Sequence, residues 1–159
     1  MNTRELTCCF TGHRNLPENT LSDILIQIRT VLIGLIERGV RYFGAGGALG
    51  FDSLAALVVL ELREVYPHIK LILVLPCADQ TNGWQPSDIA VYEQIKSAAD
   101  KVVCLSNHYY RGCMHKRNRH LVDFSGHCVC YQTKSEGGTA YTTGYAKEQS
   151  LTIYNVVED

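Results

Sequence analysis

The chain has no CxxC pair, no uninterrupted apolar run near the roughly eighteen residues a membrane span needs, no repeat, no low-complexity stretch and no excess of either charge. Each absence closes off a class of protein. Without CxxC, the seven cysteines and six histidines lack the spacing of a structural zinc site. Cys8 and Cys9 point to opposite faces of a strand, whereas Cys128 and Cys130 share a face and could hold a metal. Buried thiols are the expected state of both pairs, and no metal is expected. The odd cysteine count argues against a disulfide framework and for a reducing, cytoplasmic setting. The N-terminal stretch MNTRELTCCF has no long apolar signal segment, so no membrane partner is expected. Fifteen Lys and Arg against sixteen Asp and Glu disfavour a general nucleic-acid binder, though a local basic patch stays open.

What is present is alternation. Six short apolar runs, LTCCF, VRYFG, KLILVLP, KVVCL, HCVCY and LTIYNV, are separated by segments of helical period. Leu21, Ile24, Leu25, Ile28, Val31, Leu32 and Leu35 fall on one helical face between a Pro and Gly39. Four further helices are expected in FDSLAALVVLELREVYP, DIAVYEQIKSAA, CMHKRNRHLVDFS and TAYTTGYAKEQ. The pattern implies an α/β fold over residues 1–159: a Rossmann-like, doubly wound parallel sheet of about six strands, with helices on both faces. The expected strand order is 3-2-1-4-5-6. At 159 residues, 46% of them hydrophobic, one domain with its own core is expected. A homo-oligomer is compatible with this reading.

In such a sheet, ligands bind beyond the carboxyl ends of the strands where the strand order reverses. The loops TGHRNLP, GAGGALGFD, SNHYYRGCMHKRNR and QTKSEGGTAY all follow strands and converge on that edge. Glycines admit close approach of backbone N–H groups to an anion, and a following helix N-terminus adds a favourable dipole. Gly46, Gly47, Gly50, Gly137, Gly138 and Thr139 have that setting, and Gly12 precedes Arg14 in the first loop. A plain strand-to-helix turn uses the same glycines. Gly44, Gly46 and Gly50 are spaced one residue too long for the dinucleotide fingerprint and follow the second strand rather than the first, which argues against an ordinary NAD dehydrogenase. Arg14 and Arg117 suit a phosphate or carboxylate. Asp52 fits either a ribose hydroxyl or a helix cap. Trp84, Tyr109 and Tyr110 are candidates for stacking on a base, or for packing on the body. His13 and His115 have no sequence partner to orient them for acid–base chemistry.

The segments CCFTGHRNLP, GGALGFDSLAA, LVLPCADQTNGW, RGCMHKRNRHLVD and EGGTAYTTGYA together resemble the YpsA-like family of the SLOG superfamily. That resemblance implies a Rossmann-like domain binding nucleotides or nucleotide-derived ligands, and for this branch no settled activity. Gly46, Gly47, Gly50 and Asp52 are similar to the glycine-rich segment of the DNA-processing protein, which binds single-stranded DNA, and Arg14 in TGHR is similar to its Gly-Ser-Arg turn. Arg117, Gly137, Gly138 and Thr139 match the LOG phosphoribohydrolases, which hydrolyse nucleoside monophosphates. Asn118 stands where LOG proteins have lysine, and Thr142 where they have glutamate.

The expected function is thus binding of a nucleotide-derived small molecule in a sensory or regulatory role, with no further cofactor. The alternatives are a LOG-like N-glycosidic hydrolase, with Glu136 and Asp52 as candidate carboxylates, and a single-stranded nucleic-acid binder.

Overall fold

The structure is a computed structural model describing residues 3–157. Strand β1 (Thr7–Gly12) has Cys8, Cys9, Phe10 and Thr11 buried in succession, which requires cover on both faces of the sheet. A short 3-10 turn (Glu18–Thr20) after Pro17 leads into α1 (Leu21–Glu37), whose Ile24, Ile28, Leu32, Leu35 and Ile36 are buried. Then follow β2 (Tyr42–Ala45), α2 (Phe51–Val65), β3 (Lys70–Leu75), α3 (Pro86–Ala98), β4 (Lys101–Cys104), α4 (Cys113–Asp123), β5 (His127–Tyr131), α5 (Gly138–Glu148) and β6 (Thr152–Asn155). All five pairings are parallel.

The sheet order is β4-β3-β2-β1-β5-β6, which corrects the expected 3-2-1-4-5-6. It is β5, not β4, that lies beside β1, with Cys9 opposite Cys128. Burial explains the choice. Cys128, Val129 and Cys130 are sealed on both faces, whereas Lys101, Val102 and Cys104 of β4 are exposed and suit only an edge. The chain therefore winds outward from β1 through β4, then crosses back to the other side of β1, and its reversal point lies between β1 and β5.

Two cores follow from this winding. One packs α1, α2 and α3 on the sheet around Phe10, Phe43 and Phe51. The second packs Leu121 and Val122 of α4 and Ala146 of α5 on Cys9, Cys128 and Cys130. All seven thiols are free, and burial pushes Cys130 up to about 12. The 3-10 turn and α1 together, residues 18–37, are long and apolar enough to cross a membrane by length and composition, although polar residues interrupt the apolar run. In this fold the apolar stripe of α1 is part of the first core.

Candidate functional site

A cavity of about 550 Å³ opens at the reversal point. Its walls come from Gly12 to Asn15 at and after the end of β1, Ala48 in the loop after β2, Asp52 in the first turn of α2, Met114, Arg117 and Asn118 on α4, and Thr133, Lys134 and Glu136 to Thr139 between β5 and the start of α5.

The floor is organised by one peptide unit. Gly46 N–H donates to Asp52 Oδ2 at 2.9 Å, and Gly46 C=O accepts from Arg117 Nη1. Ala48 N–H also donates to Asp52 Oδ2, at 3.3 Å. Two buried side chains of opposite charge are thus joined through a backbone amide rather than by direct contact, with Asp52 7% and Arg117 4% exposed. Gln80 completes the cluster, its Nε2 donating to the Gly46 and Gly47 carbonyls at 3.4 Å while its Oε1 accepts from Arg117. A Cβ at Gly46 would collide with the Arg117 guanidinium, and one at Gly50 with the His13 and Arg14 carbonyls, where φ is also +78°. Both positions are confined to glycine by close approach.

Burial raises the Asp52 carboxyl above the usual carboxylate range, against the opposing pull of Arg117 and the two amides. Burial likewise lowers Arg117, against the support of Asp52, and Arg14 lowers it further. Asp52 Oδ1 has no hydrogen-bond partner among the described residues. Asp52 also borders a void of about 10 Å³ beside Ser53, Leu73 and Tyr92, space for about one water.

Arg117 connects onward to α5. Its Nε–H donates to Asn118 Oδ1 at 2.7 Å, Asn118 Nδ2 donates to Thr142 Oγ1 at 3.1 Å, and the Thr142 hydroxyl donates to Gly138 C=O at 3.0 Å. Asn118 and Thr142, 24 residues apart on neighbouring helices, thus bond to each other. Helix α5 starts at Gly138 behind Gly137 (φ +99°), with no side-chain cap. Its first-turn amides open at the cavity wall formed by Gly137, Gly138 and Thr139.

His13 ties the rim together. Thr133 N–H donates to His13 Nε2 at 3.0 Å, so Nε2 carries a lone pair and the ring proton of the neutral form sits on Nδ1, 3.4 Å from Thr139 Oγ1. Burial, and secondarily Lys134, lower the imidazole below its ordinary range. The partner absent from local sequence is supplied by the β5 loop, 120 residues away.

With this geometry in view, comparison with known proteins places the chain. The family model described as the YspA SLOG family matches residues 9–157. The chain belongs to that family. A UPF0398 protein of Halalkalibacterium halodurans is 35% identical over 121 residues, covering 74% of this chain and 64% of its own length. The SPbeta prophage-derived protein YoqJ of Bacillus subtilis is 28% identical over 145 residues, covering 83% and 85%. This chain thus spans just under two thirds of the first of these relatives. Among solved structures it is similar to DNA processing protein A from Helicobacter pylori, described for its single-stranded DNA binding mode, with a TM-score of 0.66, 18% identity, and 94% of this chain and 64% of that one covered. The Streptococcus pneumoniae protein gives 0.65 at 16% identity, with 92% and 48% covered. At those identities the likeness is one of fold.

Of the residues singled out in sequence, the cavity unites Gly12, Arg14, Asp52, Arg117, Glu136, Gly137, Gly138 and Thr139. Gly46, Gly47 and Gly50 do not line it. Gly46 backs onto Arg117, the space beside Gly47 is filled by Leu75, Gln80 and Tyr92, and Gly50 lies under the first loop. The amides of Gly46 and Ala48 are already bonded to Asp52, so this loop holds the floor rather than forming an open cradle. Trp84 packs edge-on against Tyr92, with ring centroids 5.6 Å apart, and pins the long loop after β3. Tyr109 and Tyr110 stand outside the cavity, because β4 is an outer edge strand. Sequence reasoning missed Gln80, although its loop lies in one of the segments that carry the family resemblance, and the pairing of Asn118 with Thr142, which joins two helices and leaves no local pattern.

Proposed function

We propose that the chain binds a nucleotide-derived small molecule, such as a nucleoside phosphate or an ADP-ribose-like compound, in the cavity between β1 and β5, in a sensory or regulatory role. The observation that carries this is the convergence of two like charges. Arg14 is exposed and makes no hydrogen bond among the described residues, and it lines the same cavity as the buried Arg117. An anion at this wall relieves the repulsion. The uncapped start of α5 supplies amide donors to the same anion. A cavity of about 550 Å³ falls in the range of ligand-sized sites. Asp52, whose Oδ1 is buried, acts from the floor of the cavity rather than as an open acceptor. The 44–52 loop acts indirectly in this scheme, by holding Asp52 and Arg117.

A thermal-shift screen against nucleoside mono-, di- and triphosphates, NAD, ADP-ribose and the free nucleosides tests the proposal. Phosphorylated compounds are expected to raise the midpoint, since ligand at about 100 times its Kd adds roughly 2.7 kcal/mol. Arg14→Ala should weaken the best ligand by roughly tenfold or more in calorimetry. Silence across the screen, or unchanged affinity in that variant, rejects the site.

A further inference from the structure

We propose that the outer face of α4, together with the loop before it and Tyr141 of α5, is a binding surface for single-stranded oligonucleotides, separate from the cavity. Residues 101–122 carry five of the chain's fifteen Lys and Arg and none of its sixteen Asp and Glu. The near-neutral total conceals a segregated distribution: this segment is basic and the remainder of the chain acidic. Arg117 is turned inward to the cavity floor, whereas Arg111, Lys116 and Arg119 are exposed.

Aromatic rings stand among these cations. Tyr109 is 62% exposed, Tyr110 42% and Tyr141 43%. Tyr141 is held rather than free: its ring lies 4.2 Å from that of His115, centroid to centroid, and its hydroxyl accepts from Arg119 Nη1 at 3.0 Å. The loop is anchored as well, because Tyr109 N–H donates to Asp79 Oδ1 at 2.9 Å and Tyr110 C=O accepts from Cys113 N–H at 3.1 Å, leading directly into α4. The Tyr141 ring is thus ordered without being buried, and the backbone that carries Tyr109 and Tyr110 is fixed, so less entropy is lost when a base stacks here.

Exposed rings interleaved with cations match the two needs of a single strand: stacking for its bases and countercharge for its phosphates. An acidic peptide accounts for the cations but not for the tyrosines. Tyr109, Tyr110, Arg119 and Tyr141 do not border the cavity, so the two sites are separable by mutation.

The test is fluorescence anisotropy with labelled oligothymidylate and oligouridylate of about 12 nucleotides, within the span of known single-strand sites. Binding in the micromolar range at low salt is expected, with a log–log salt slope of about −2 for three phosphate contacts. Tyr110→Ala, Tyr141→Ala and Arg119→Gln should each weaken it by roughly tenfold, the scale of one lost stacking contact. Tyr110 is the cleanest of the three, since its exposed ring makes no side-chain hydrogen bond among the described residues, and its thermal midpoint should not move. Arg14→Ala should leave oligonucleotide binding intact. No binding at low salt overturns the proposal. So does equal competition by polyglutamate with no effect of the tyrosine variants, which marks an acidic-peptide surface, or loss of binding in Arg14→Ala, which places the strand in the cavity.

Discussion

Gly46 performs two tasks with one peptide unit, presenting its N–H to a buried carboxylate and its carbonyl to a buried guanidinium. Removing one charge leaves the other buried and uncompensated, which costs far more than the intact arrangement contributes. Asp52→Asn is therefore expected to lower stability by roughly 2 to 3 kcal/mol, read as a reduced urea midpoint at unchanged m value. Adding Arg117→Met should recover part of the loss, because the orphaned charge goes with it. His13 gives a pH signature. Its folded-state affinity for a proton is depressed, so the unfolded chain protonates first, and stability is full above about pH 6.5 and lost as pH falls below it. Protonation also removes the Nε2 lone pair that accepts from Thr133 N–H. His127 shifts in the same direction through burial, so the difference from His13→Gln isolates the contribution. The thermal midpoint between pH 7.5 and 5.5 should fall less steeply in that variant than in the parent; parallel curves would assign the slope elsewhere.

At the scale of elements, the contact between α4 and α5 decides what chemistry the cavity can host. Glycosidic cleavage requires a carboxylate beside the sugar. Thr142 on α5 supplies no carboxylate, and its hydroxyl is committed to Gly138 C=O and to Asn118. Of the remaining carboxylates at the cavity, Asp52 is bound to two amides and raised by burial, and Glu136 is exposed at the rim. Nucleoside monophosphates incubated with the protein should release no base at enzymic rates, as followed by chromatography. Turnover above about 1 per second, abolished in Glu136→Gln, would make the hydrolase the correct assignment. The start of α5 also has a structural role, because Thr142 fastens its first turn to Asn118 and so to Arg117. Thr142→Val should loosen Arg117 and weaken ligand binding, with a smaller effect on folding.

For the whole molecule, the sheet order sets the gradient of stability. Strands β1 and β5 are central and sealed, while β4 is an exposed edge. Hydrogen exchange should be slowest at Cys9, Phe10, Val129 and Cys130 and faster at Val102, whose N–H on the edge strand β4 turns away from β3, than at its neighbour Val103. Alternating apolar runs and helical periods made the α/β class legible in the sequence, because these patterns arise from neighbours within a few residues of each other. Turn chemistry did the same for the loops after β1 and β5, and Arg14, Asp52, Arg117 and Gly137 to Thr139 do meet at one cavity. Three things were decided only in the tertiary structure. Which strand lies beside β1 depended on which of two short runs is covered on both faces, a property of the packed sheet. The role of the 44–52 loop depended on Asp52 and Arg117 meeting at Gly46 across 65 residues of sequence, where a carboxylate took amides that otherwise face a ligand. The basic run of residues 101–122 is legible in the sequence beneath a net charge of −1, but which of its cations face solvent is not, because only folding turns Arg117 inward and Arg111, Lys116 and Arg119 outward.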